Sequence, residues 1–178
     1  QPSAAQVHYD LGRLFARQRR LNEAMPHFQG ALERLEGWHG PGHPDTVVMR
    51  EAIGLALVDL GQMEEGRAMV EAALTANLEA HGEAHRRTAE SIQNLATIEF
   101  RSGRVEEAIG LFYEALRVYD ELYPEGHPKT ALIADNLSLA LINMQRAAED
   151  QSVARRGLFA ARTSLGPDHL NTGRLSRW

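Results

Sequence analysis

Apolar residues follow a helical spacing in two consecutive stretches near the middle of the chain. Between residues 88 and 103 they recur every three or four positions, at Ile92, Leu95, Ala96 and Phe100. The spacing resumes after a short Ser-Gly-Arg segment, at Val105, Ala108, Ile109, Phe112, Ala115, Leu116 and Tyr119. This pattern is typical of amphipathic helices that bury one face. It predicts two helices joined by a tight turn, in which Gly103 takes a left-handed conformation.

The pattern returns with a period of 42 residues. The pentapeptide GHPDT at 42–46 reappears as GHPKT at 126–130. Histidines and threonines keep the same step along the chain, at His43, His85, His127 and His169 and at Thr46, Thr88, Thr130 and Thr172. Internal repeats of this length indicate a solenoid in which each repeat is one supersecondary unit.

We therefore predict a single all-α repeat domain over residues 1–178, with roughly eight helices arranged as antiparallel pairs. The predicted repeats cover approximately 4–45, 46–87, 88–129 and 130–171. Residues 172–178 are predicted to begin a fifth repeat or to form a C-terminal cap. The chain begins with Gln1 rather than Met, so we expect that it is an internal piece of a longer protein.

The repeated pentapeptide is predicted to end one helix and to start the next. Pro124 and Gly126 interrupt the helical spacing, and Pro128 suits a first helical turn. Thr130 is predicted to be the N-cap of the following helix. The linker histidine is expected to hydrogen-bond neighbouring backbone or to pack on the next helix.

Composition narrows the possible partners. The net charge of −5 argues against nucleic acid, which favours a clustered basic surface. No apolar stretch is long enough for a membrane span and no leader is visible, so we expect a cytoplasmic protein without membrane contact. The absence of cysteine excludes disulfides and Cys-based zinc sites.

The sequence offers little for metal binding or catalysis. His39 and His43, like His81 and His85, have the spacing of paired ligands on a helix, but neither pair has an obvious third ligand. Neither a G-x-S-x-G nor an H-E-x-x-H motif occurs. We therefore expect no metal, no cofactor and no enzymatic activity.

The residues that recur in each repeat resemble those of the tetratricopeptide repeat. In the third repeat they are Leu95-Ala96, Gly103, Ala108-x3-Phe112 and Ala115. The 42-residue period and the GHPxT linker are similar to the kinesin light chain type. The resemblance implies a right-handed superhelix whose first helices line a concave groove for a peptide or a partner helix. The fourth repeat departs from the pattern, since Gln145 replaces the turn glycine and Asp150 replaces a small residue.

The repeat phase predicts which side chains face this groove. Positions 5, 9 and 13 of each first helix lie roughly one turn apart on one face. With position 6, where the kinesin light chain type carries asparagine, they provide the candidate binding residues Asn94, Asn136, Gln93, Arg101, Arg13, Arg17, Thr97, Asn143 and Asp135. Asn94 and Asn136 are the best candidates to hold a main chain, because an amide both donates and accepts.

This reasoning favours an interaction module for a protein or peptide partner. Because Arg13 and Arg17 belong to the first repeat, we expect an acidic part of the ligand to lie there. Two alternatives stay open at this point. In the first, the chain is a regulatory or sensory region of a larger protein, such as a bacterial signalling protein. In the second, it is a scaffold that self-associates through its terminal repeats.

Overall fold

The computed structural model describes residues 4–165, apart from the side chains of 147–150, 161–162 and 164–165. All regular structure in this part of the chain is α-helical, as predicted. The helices are α1 (Ala4–Arg17), α2 (Leu21–His39), α3 (Pro44–Asp59), α4 (Met63–His81), α5 (Arg86–Arg101), α6 (Val105–Leu122), α7 (Pro128–Asn143) and α8 (Ala147–Leu165). None of the described helices is long and apolar enough to cross a membrane.

The chain forms two compact units, Gln1–Gly82 and Glu83–Trp178, called here the N-terminal and the C-terminal unit. In the N-terminal unit α1 pairs with α2 and α3 pairs with α4, and α1 and α2 both pack on α3. The core of this unit contains Phe28, Leu35, Ile53 and Leu57, which are buried. Their helical spacing is the reason that each helix turns one face inward.

The C-terminal unit repeats this arrangement. Its pairs are α5 with α6 and α7 with α8, while α6 and α5 pack on α7. The large side chains that this unit buries completely are Ile98, Phe112, Leu116, Tyr119, Ile133, Leu137 and Leu141. Phe112 and Leu116 are among the residues whose spacing predicted a helix, so the core is built from that periodic face.

The turn inside each pair requires a left-handed residue. Gly61 and Gly103 supply it with φ angles of 92° and 83°, which confirms the prediction for Gly103. The first and fourth repeats use Arg19 and Gln145, with φ angles of 61° and 59°. The replacement of glycine therefore leaves the turn conformation unchanged, at the steric cost that a Cβ carries in this region.

The prediction that Thr130 caps α7 is wrong, because the cap is His127. The Nδ1 atom of His127 accepts a hydrogen bond of 3.0 Å from the backbone N–H of Lys129. His43 and His85 cap α3 and α5 in the same way, each over 3.2 Å. The imidazole thus replaces the short side chains that usually satisfy a free N–H group at a helix start.

Thr130 lies instead within the first turn of α7 and is buried. Pro128 occupies the first helical position, which confirms its predicted role. The expectation that the linker histidines bond to neighbouring backbone is confirmed for His43, His85 and His127. His169, the side chain of Asp150 and residues 172–178, for which the sequence also made predictions, lie outside the described residues.

Acidification is expected to lower stability through His127. Burial first, and then Arg86 and Lys129, lower the pKa of His127, while Glu90 opposes them. The rings of Tyr119 and Tyr123 face the imidazole and carry no charge that would favour its protonated form. Because the unfolded chain then binds the proton more readily, stability falls as the pH drops from about 7 through the ordinary histidine pKa. The loss is complete once the pH is below the lowered pKa of the folded state.

The comparison that tests this uses His127→Asn, since asparagine caps a helix without titrating. Urea unfolding at about pH 7.5 and about pH 5 should show a smaller loss of stability in the variant than in the parent chain. Equal losses in both proteins would show that protonation of His127 does not weaken the cap.

Candidate functional site

The first helices of the N-terminal unit border an apolar cavity. It has a volume of about 280 Å³ and lies between α1 and α3. Its lining consists of Ala5, Gln6, Tyr9, Leu35, Asp45, Val48, Met49 and Ala52. Only Gln6, Asp45 and the Tyr9 hydroxyl add polar atoms from side chains, so the cavity suits a large apolar side chain.

A second cavity, of about 330 Å³, lies between the same two helices. It is lined by Arg13, Ala16, Arg17, Arg19, Ala56 and Asp59. Arg19 is fixed there, because its Nη1 donates a 2.6 Å hydrogen bond to the backbone carbonyl of Asp59. Three guanidinium groups thus meet one carboxylate, and this excess of positive charge favours an anionic group of a ligand.

Tyr9 and Arg13 join the two cavities. Each lines one of them, and the Arg13 guanidinium carbon lies 5.6 Å from the centre of the Tyr9 ring. Burial raises the pKa of Tyr9 above its ordinary value, and the opposing effect of Arg13 is smaller. The phenol therefore stays neutral at physiological pH and offers both a ring face and a hydroxyl group.

The structure brings two of the predicted residues, Arg13 and Arg17, into a single cavity. The apolar cavity beside them was not predicted. The sequence feature that could have indicated this cavity is the pair Val48 and Ala52, two apolar residues one helical turn apart on α3. Leu35 carries no comparable signal, because it reaches the cavity only through the packing of α2 on α3.

The other seven predicted residues lie on α5 and α7 of the C-terminal unit, and these two helices are neighbours. On α5, Asn94 is half-buried and Arg101 is exposed. The Thr97 hydroxyl donates a 2.9 Å hydrogen bond to the carbonyl of Gln93, so only its acceptor capacity is left for a ligand. Gln93 itself is 6% exposed. Its Oε1 is buried and has no hydrogen-bond partner among the described residues.

On α7, Asp135 and Asn136 are half-buried and Asn143 is exposed. Exposed apolar side chains stand between them, with Leu139 and Ile142 each about two-fifths exposed. The α5 and α7 set is therefore mixed in polarity. It lacks the excess of guanidinium groups found on α1.

Of the two histidine pairs with ligand-like spacing, His39 and His43 lie close together. The rings of His39 and His43 stack with their centres 4.3 Å apart, and His43 Nδ1 is occupied by the cap of α3. Among the described residues there is no cluster of three His, Asp or Glu side chains that could hold a metal ion.

Comparison with known proteins places these helix pairs in a family. Profiles of the tetratricopeptide repeat match residues 48–121 and 88–152, and a second such profile matches 9–45. Repeats of this kind are generally non-enzymatic scaffolds that bind other proteins. No curated protein sequence matches the chain.

Several solved structures share the fold. A variant of a Podosopora anserina protein with nearly identical kinesin light chain TPR-like repeats has a TM-score of 0.80 and 15% identity, over 98% of this chain and 84% of that one. BtubC (BKLC) from P. vanneervenii has a TM-score of 0.78 and 21% identity, over 98% and 73%. The apo form of RapI has a TM-score of 0.74 and 15% identity, over 98% and 66%. The chain belongs to the tetratricopeptide repeat family, and it shares its fold with the kinesin light chain TPR-like repeats of the Podosopora anserina protein.

Proposed function

We propose that this chain binds an extended segment of a partner protein along its first helices and performs no catalysis. The two adjoining cavities between α1 and α3 carry the proposal. One accepts an apolar side chain and the other an acidic one. This agrees with the expectation that an acidic part of the ligand lies at the first repeat.

The spacing of the cavities limits the segment. Tyr9 and Arg17 are eight residues apart on α1, which corresponds to about 12 Å along the helix axis. An extended chain covers this distance in about four residues. The bound segment is therefore expected to carry an apolar residue and, about four positions away, an aspartate or glutamate.

In the C-terminal unit the proposed contacts are with the main chain of a ligand. Asn94 and Asn136 can each donate to a carbonyl and accept from an N–H group. Gln93, Thr97, Arg101, Asp135 and Asn143 complete the proposed set on α5 and α7. Half-burial of the two asparagines supports this role, since a partly desolvated amide holds a ligand with less competition from water.

Reversing the charge of Arg13 and Arg17 is expected to weaken binding by tenfold or more. Two charge-assisted contacts are lost and two carboxylates now repel the acidic residue. Peptides selected on the unchanged protein from a displayed random library supply the ligand. Fluorescence anisotropy then compares the parent chain with the Arg13→Glu, Arg17→Glu double variant.

The matched control is Arg117→Glu, which reverses an exposed arginine on α6 that lines neither cavity. It should leave the dissociation constant unchanged. If selected peptides bind the double variant as tightly as the parent chain, the cavities between α1 and α3 are not the binding site.

An exposed apolar stripe on α1 favours self-association as a second candidate function. Val7, Leu11 and Leu14 are 45%, 37% and 50% exposed and follow one face of the helix. One repeat later the residues equivalent to Val7 and Leu11, which are Met49 and Ile53, are buried. The stripe thus suits an amphipathic helix of a second copy, packed as α2 packs on α3.

Light scattering over a range of concentrations tests self-association. The parent chain should gain mass with concentration, and the Leu11→Gln, Leu14→Gln double variant should stay monomeric, because it removes exposed apolar surface without opening the core. A parent chain whose mass does not change with concentration excludes this candidate.

A further inference from the structure

Phe159 occupies a position where the other repeats carry polar residues. At steps of 42 residues its equivalents are Glu33, Thr75 and Arg117, all of them exposed. Phe159 is 57% exposed. The fold leaves this helical position to solvent in every other repeat, so packing does not require an aromatic ring there. A single exposed aromatic residue is common on protein surfaces, so the surroundings of Phe159 decide what it means.

Phe159 borders a cavity of about 360 Å³ that lies wholly within the C-terminal unit. The cavity is formed by the end of α6, the linker to α7, the first turn of α7 and the middle of α8. Tyr123 and Pro124 add apolar surface to that of Phe159. The volume falls in the range of small-ligand pockets. It is also sufficient for one large side chain of a partner.

Close packing holds the cavity in shape. Gly126 has a φ angle of 96°, and a Cβ added to it would lie 3.1 Å from the Cα of Ala160 on α8. The equivalent Gly42 has no such neighbour within 4 Å. The Tyr123 ring, in turn, lies against the ring of the cap residue His127, with centres 4.4 Å apart. The linker that bounds the cavity is thus packed directly onto α8.

The described residues that line the cavity carry an excess of positive charge. Arg156 forms an ion pair with Asp120, so these two groups neutralise each other. Arg155 also lines the cavity, is exposed, and makes no ion pair with another described residue. One guanidinium group therefore remains beside three apolar side chains, an arrangement that fits a carboxylate next to a large apolar group.

We propose that this cavity is a second docking site, for a short segment of a partner protein that carries an aspartate or glutamate beside a large apolar residue. The apolar side chain packs on Phe159, Tyr123 and Pro124, and the carboxylate pairs with Arg155. The site shares no residue with the cavities between α1 and α3. A ligand bound here therefore does not compete for the side chains that line those cavities.

The probes are blocked hexapeptides in which glutamate is one or two positions from phenylalanine or leucine. Two matched sets replace either the glutamate by lysine or the apolar residue by alanine. Two-dimensional NMR of the 178-residue chain follows the backbone amides of 155–160 and of 123–130, apart from Pro124 and Pro128. We expect saturable shifts in these amides with the first set and none with the matched sets.

Two variants test the contacts. Phe159→Thr introduces the residue type of the equivalent Thr75 and should fold normally, while binding weakens by about tenfold or more because the ring surface is lost. Arg155→Gln should weaken binding by about threefold to fivefold, as expected for an exposed ion pair. The control Leu132→Thr alters an exposed apolar residue of α7 outside the cavity and should change nothing.

The Arg13→Glu, Arg17→Glu double variant distinguishes binding at this site from binding along the first helices. It should bind the hexapeptides normally even if it loses its library-selected ligands. The proposal is overturned if no cavity amide shifts at millimolar peptide, if lysine peptides bind equally, or if neither Phe159→Thr nor Arg155→Gln weakens binding. It is also overturned if the same amides shift with protein concentration alone, which would identify an interface between copies.

Discussion

Replacing Gly66 with valine is expected to lower the free energy of unfolding by about 2–3 kcal/mol. Helices α3 and α4 touch at Gly54 and Gly66. A Cβ on Gly66 would lie 2.5 Å from the Gly54 carbonyl oxygen and 2.6 Å from a methyl group of Val58. The first of these atoms belongs to the helix backbone, so relief requires the two helices to separate. That separation would also loosen the neighbouring side chains of the core.

Urea unfolding followed by circular dichroism measures this effect. Gly110→Val is the matched control, because Gly110 lies in α6 with no atom within 4 Å of an added Cβ. That change should alter stability by less than about 0.5 kcal/mol, through helix propensity alone. A Gly66→Val protein that unfolds at the same urea concentration as the parent would show that the helix contact tolerates a larger residue.

The second large effect is expected from Arg104→Met, which should lower the free energy of unfolding by about 2–3 kcal/mol. The Arg104 side chain forms an ion pair with Glu99, whose carboxylate is almost fully buried on α5. When the guanidinium group of Arg104 is removed, the buried carboxylate of Glu99 loses this ion pair. Because Arg104 is itself partly exposed, the expected cost is set below that of a fully buried pair.

Two comparisons identify the cause. Arg117→Met removes the same kind of side chain from an exposed pair with Glu121 and should cost about 0.5 kcal/mol or less. The Glu99→Gln, Arg104→Met double variant should recover part of the loss, because the buried group is then neutral. If the double variant is less stable than Arg104→Met alone, the buried charge is not the cause.

The helices were predictable because their signal is local. Ile92, Leu95 and Ala96 repeat at the helical period, and each residue needs only its own chain neighbours to form the pattern. The left-handed turn at Gly103 was predictable for the same reason. The cap of α7 was not, since side-chain preferences favour Thr130. The choice of His127 depends on where Pro128 begins the helix, because the imidazole then reaches the N–H group of Lys129, the second helical residue.

Some residues of the candidate site could likewise be predicted from the sequence and others could not. Arg13 and Arg17 were predicted from the repeat phase, and both line one cavity. The sequence contained no sign that Arg19, a turn residue, would extend its guanidinium group to the carbonyl of Asp59 on another helix. That contact joins residues 40 positions apart, and its existence depends on how closely α1 and α3 approach.

From the sequence alone, the spacing of apolar residues predicted the helices and the 42-residue period, and the residues that recur in each repeat predicted the family. Each of these features is visible in the order of residues along one chain. The histidine caps, the cavity that combines Leu35 with Val48, and the cavity beside Phe159 became visible once the helices were packed together. Cavities arise where side chains from separate helices fail to fill the space between them, and local periodicity carries no information about that space.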